Sequence, residues 1–171
     1  MSRFRPDQSV GALKRADGTR ESYTLTLPAT SAATQSDYVN IYDAAGTHYA
    51  IWLDIDADGT APTGALYVAA DTKIEVDIVG GGTAAQNGTL FYNAVNGVIA
   101  DVSFVDNEDG TVDVTLDDVE DATDAVPKNA DDSGAGSVTV GTITDGTSES
   151  FPYPEGSGSP TDYKINPDVV S

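Results

Sequence analysis

The sequence contains no cysteine, which removes disulfides and thiolate metal ligands from consideration. It has a single histidine, His48, so a multi-histidine metal centre is excluded. Any acid–base set built on His48 would need carboxylate or hydroxyl partners brought from elsewhere in the fold. Cations are nearly absent from most of the chain: after Glu21 only Lys73, Lys128 and Lys164 stand against 25 acidic side chains. No apolar run approaches the roughly 20 residues needed to span a bilayer. Residues 1–6 lead into polar residues rather than the apolar stretch of a secretory signal. The expectation is a soluble chain made in the cytoplasm, with no membrane partner.

What is present begins with charge. The net charge is −20, and five of the eight lysines and arginines lie in the first 20 residues: Arg3, Arg5, Lys14, Arg15 and Arg20. An acidic body repels phosphate backbones, so sequence-specific nucleic-acid binding is not expected of it. The basic segment, residues 1–20, reads as an assembly arm that reaches the acidic body of a neighbouring copy. The plainer alternative is a solubilising tail. Residues 152–171 hold Pro152, Pro154, Pro160 and Pro167 among glycines and serines, and read as a tail rather than a core element.

Between these ends, residues 21–151 carry mostly β patterning. Tyr23, Leu25 and Leu27 alternate before Pro28. Tyr38 to Tyr42 alternates again, residues 43–46 supply a turn with Gly46 free to take positive φ, and residues 49–53 return as the second arm of a hairpin. Ile74, Val76 and Ile78 mark a half-exposed strand whose other face is Lys73, Glu75 and Asp77. Gly80–Gly82 ends it. Thr83 and Gln86 then form a capping-box pattern ahead of Leu90, Phe91, Ala94, Val95, Val98 and Ile99 at helical spacing, so one packed helix is predicted over about 83–98, ending near Gly97. Residues 102–105 and 111–116 flank an Asp109–Gly110 turn, 126–136 read as loop, and 137–143 as a further strand. The whole predicts an α+β domain of mostly antiparallel β structure, sandwich or barrel-like, with one packed helix, an N-terminal arm and a C-terminal tail.

Asp54, Asp56, Asp58 and Gly59 have the D-x-D-x-D-G spacing that opens a calcium loop, and Thr60 falls where a backbone carbonyl would ligate. Position twelve, where a bidentate glutamate closes the shell, is Ala65, and Pro62 occupies the ninth. A calcium ion would therefore need a ligand from elsewhere, against a simple turn whose aspartates accept backbone N–H bonds. His48 reads as an exposed or half-buried strand residue rather than a catalyst. Asp117–Asp118 and Asp131–Asp132 read as solvated loop carboxylates. Gly80–Gly82 lacks the lysine and spacing of a phosphate-binding loop. Trp52, Tyr49 and Tyr67 could offer a sugar-stacking platform, though a lone tryptophan in an alternating strand is more often core.

The order of residues 38–56, followed by an aspartate–glycine–threonine loop, a strand and a helix opened by Thr83, Ala84 and Ala85, resembles a module of tailed-bacteriophage virion proteins. Residues 126–137 resemble the segment that follows it there, and the similarity spans roughly residues 25–143. The resemblance implies a non-enzymatic structural protein of the virion, made in the host cytoplasm, whose partners are other copies of itself and other virion proteins. A capsid decoration or cement subunit is the leading expectation; a tail-tube or neck ring protein and a fibre-associated receptor- or carbohydrate-binding module are the alternatives. The family supplies no catalytic residues and no obligatory cofactor.

Overall fold

The alternation of Tyr23 and Leu25 with Ser22, Thr24 and Thr26 builds β1 (Ser22–Thr26), its apolar side chains buried and its hydroxylated ones turned outward. A computed structural model of the chain describes residues 18–119 and 121–147. The basic arm up to residue 17 and the expected tail over 152–171 lie outside them. After a 3-10 turn at Thr30–Ala32 come β2 (Tyr38–Tyr42), β3 (His48–Ile55), a short α1 (Ala65–Ala69), β4 (Thr72–Ile78) and α2 (Ala84–Val95). β5 (Val102–Asp106), β6 (Thr111–Leu116), β7 (Val126–Lys128) and β8 (Thr139–Val140) complete the set.

The strands form two four-stranded sheets, ordered β5-β6-β1-β8 and β4-β3-β2-β7. Their inner faces share one core, in which Leu25, Val112 and Val114 of the first sheet meet Val39, Ile51 and Val76 of the second. Phe91 and Val95 of α2 belong to the same core, and the helix packs on β4, β5 and β6. It closes the side of the sandwich where the two sheets end in β4 and β5. The α+β sandwich expected from the pattern is the fold observed.

Every pairing but one is antiparallel. β4 returns parallel to β3, with Trp52 opposite Glu75 and Asp54 opposite Asp77. A parallel return needs a crossover. Residues 56–71 supply it, with α1, a second helix beyond the one predicted. α1 lies over the outer face of the second sheet, where Tyr67 and Ala70 bury Tyr38, Ala50 and Trp52 in a small second cluster. This cover goes with burial of β3 on both faces, apart from Ile55 at its end, and of β2, whose alternation predicts one buried face but which is buried at every residue except Tyr42.

Local signals hold closely. Gly46 has φ of 81° in the β2–β3 hairpin, and Asp43 Oδ1 accepts from Thr47 N at 2.7 Å. Thr83 caps α2 with both bonds of the capping box. The helix stops at Val95, shorter than the predicted 83–98, because Gly97 takes the left-handed conformation with φ of 77°. Two segments depart from expectation. Residues 126–128, read as loop, pair with the edge of β2 as β7; the missing N–H of Pro127 is tolerable on an edge strand. Residues 137–143, read as a strand, contribute only the two residues of β8.

Candidate functional site

The aspartate loop leaves the end of β3. Asp56 and Ala57 both sit at positive φ, 59° and 53°, which folds the chain sharply. Asp54 is fully buried, and its carboxylate accepts N–H bonds from Asp58 at 3.0 Å and Gly59 at 2.9 Å. Gln35 completes the arrangement: its Nε2 donates to Asp54 Oδ1 and Asp58 Oδ1, both at 2.8 Å, and its Oε1 accepts from Ile55 N at 2.6 Å. Asp56 turns elsewhere and accepts from Gly80 N at 2.6 Å. The carbonyl of Thr60, expected as a metal ligand, accepts from Ser36 Oγ at 2.5 Å. These are bonds of a turn. The amide of Gln35 stands between the two carboxylates that the calcium spacing would have turned on an ion.

Among the described residues the carboxylates that converge are Asp54, Glu75 and Asp77, whose oxygens lie within 4.8 Å of one another. The parallel register of β3 and β4 puts them on one face at one end of the sheet. Burial opposes ionisation of Asp54, but hydrogen bonds from Gln35, Gly59, Asp58 and Glu75 outweigh it and hold its pKa below the ordinary value. Glu75 moves the other way: desolvation first, then the hydrogen bond and charge of Asp77, then Asp54, push it up. The alternation of Lys73, Glu75 and Asp77 was visible in the sequence; the parallel partner that adds Asp54 was not.

A groove of about 780 Å³ opens next to this trio and is lined by Asp77 of β4 and Val79 just after it, by Ala85, Gln86, Thr89 and Leu90 on α2, and by Asp106 at the end of β5 and Glu108 in the β5–β6 turn. Its lining mixes apolar and acidic side chains. Val79, at 59% exposed, is among the most exposed large apolar side chains described. Three separate elements build the groove, so no single stretch of sequence announces it.

The other sequence candidates resolve into structure. His48 is buried rather than exposed: its Nε2 bonds Asn40 Oδ1 at 2.7 Å, and its ring stacks on Tyr42. Burial, against the opposing charge of Asp71, lowers its pKa. Trp52, Tyr49 and Tyr67 are all buried, with Tyr49 in the main core and the other two in the outer cluster, so they form no platform. Asp132, read as a solvated carboxylate, instead accepts from the Tyr38 hydroxyl and from Leu66 N, pinning the start of α1 to β2. Asp131 Oδ1 accepts from Ser133 N at 3.0 Å, and Asp117 and Asp118 are exposed. Arg20 is exposed just ahead of β1, while Arg3, Arg5, Lys14 and Arg15 lie outside the described residues.

Fold and site together define a two-sheet sandwich with a groove beside three converging carboxylates. No protein-family model, characterised protein or solved structure matches the chain.

Proposed function

We propose that this protein is a non-enzymatic structural component of a tailed-phage particle, a head decoration or cement subunit that binds neighbouring subunits through its termini, the basic leader above all. The observation that carries the reading is the division of charge: the cations are gathered in residues 1–20 and the acids on the folded body. Such a chain carries both halves of a contact, and repetition by symmetry turns weak contacts into a stable shell. The sandwich supports it by offering four sheet edges, β4, β5, β7 and β8, each bonded to a strand on one side only among the described residues. The partners are other copies and other virion proteins. A glycan-binding fibre module is less well supported, since the aromatic side chains it would use are buried.

Deletion of residues 1–20 tests this reading. The shortened chain is expected to keep its circular dichroism spectrum and melting transition while losing self-association at low salt and binding to phage heads stripped of decoration. Unfolding of the shortened chain would assign the leader to the core instead. Negative-stain images of the full protein separate the alternatives: small oligomers that coat heads fit decoration, hollow rods fit a tail tube, and a monomer at low salt that ignores heads overturns assembly altogether.

A further inference from the structure

The groove beside α2 is lined by apolar side chains, Val79 and Leu90 among them, and by three acidic ones, Asp77 of β4, Asp106 of β5 and Glu108 of the β5–β6 turn. An occupant that matches it carries an apolar side chain flanked by cations. In the sequence after Glu21 no cation stands next to another, and only three are present; in the leader, Phe4 stands between Arg3 and Arg5. In an extended peptide alternate residues point to opposite sides. Phe4 turned toward Val79 and Leu90 would leave both guanidinium groups on the opposite side of the peptide, on stems long and flexible enough to reach the carboxylates of the lining.

We propose that the groove is the socket for residues 3–5 of a second copy, with Phe4 seated against Val79 and Leu90 and with Arg3 and Arg5 paired to Asp77, Asp106 and Glu108. The proposal rests on the assembly reading above and adds where the leader docks.

The occupant is a second copy because, on the assembly reading, the leader joins neighbours, and a leader seated in its own groove would join none. The plug is on the leader and the socket on the body, so the contact is head-to-tail and closes into a ring or extends as a lattice according to its rotation.

The test uses the full-length chain with a photoreactive benzophenone amino acid in place of Phe4, prepared in natural-abundance and nitrogen-15 forms and mixed before irradiation. Mass spectrometry is expected to find residue 4 joined to peptides covering residues 79–90 or 106–108, with mixed isotope pairs showing that the link is between copies. Links within single copies only, or links that fall elsewhere on the body, overturn the proposal. A charge exchange gives the second measurement. Asp77→Arg with Glu108→Arg should weaken self-association about tenfold or more at low salt, Arg3→Glu with Arg5→Glu should do the same, and the four together should restore it. If the groove pair changes nothing while deletion of residues 1–20 abolishes assembly, the socket is wrong and the assembly reading stands. If the deletion leaves assembly intact, both fall.

Discussion

Asp54 and Glu75 carry the same functional group within 4.8 Å of each other, yet their surroundings push them in opposite directions. Asp54 gains donors from Gln35 and the loop backbone; Glu75 gains mainly desolvation and like charge. Glu21 resembles Glu75 in this respect. It is almost wholly buried, burial raises its pKa, the N–H of Ala122 at 2.8 Å only partly offsets this, and Asp121, Asp124 and Asp145 raise it further. Both glutamates hold a proton more tightly folded than unfolded. Stability attached to them is therefore fully present below pH 4.5, the ordinary glutamate value, and is lost as pH rises through their raised folded values. Asp54 has the opposite sign: its stabilisation is present above 3.8 and is lost as pH falls through its lowered folded value. The melting temperature is thus expected to peak on the acid side of neutrality. Glu75→Gln and Glu21→Gln should each flatten the decline toward pH 8 and raise the neutral melting temperature; a profile unchanged in both variants would refute this assignment.

At the scale of elements, α2 and the β5–β6 turn approach so closely that each contributes a glycine. A Cβ on Gly88 would meet Gly110 Cα at 3.1 Å, and one on Gly110 would meet Ala84 Cβ at 2.7 Å. Gly110 also has φ of 100°. Gly110→Ala should therefore cost about 1–3 kcal/mol through backbone strain and the displaced helix, read as a lower urea midpoint with an unchanged slope. A neutral result would mean that the helix is free to move. The contact shows why sequence served some elements and not others. The capping box and the Gly46 and Asp109–Gly110 turns are written in residues a few positions apart, and they form as expected. Gly88, unfavourable to a helix by its own propensity, has its reason across space on another element. β7 was unreadable for a related reason: a short edge strand containing Pro127 has no periodicity of its own and exists because β2 offers it an edge.

For the whole molecule the governing quantity is a net charge of −20. Self-repulsion of this kind destabilises the compact state, and its range contracts from about 30 Å at 0.01 M salt to about 8 Å at 0.15 M. The melting temperature of the unassembled protein should rise with added sodium chloride across that interval, with most of the gain reached by its upper end. A flat or falling response in differential scanning calorimetry would show that local carboxylate bonds outweigh the field. The two-layer β architecture was legible from alternation alone. The parallel return of β4, and with it both the carboxylate trio and the groove wall, was not, since register across a crossover is settled by what the outer face can bury.

The placement of β1 between β6 and β8 also fixes an order of events at birth. Its partners lie some ninety and more than a hundred residues downstream, Ser22 against Thr115 and Leu25 against Val140. As the nascent chain leaves the ribosome, β2, β3 and β4 already have one another, while β1 waits for β6 on one edge and, later still, for β8 on the other. Closure of the first sheet is the late, slow step, and for that interval an orphan strand depends on dilution, or on a chaperone, to keep it from a stranger's edge.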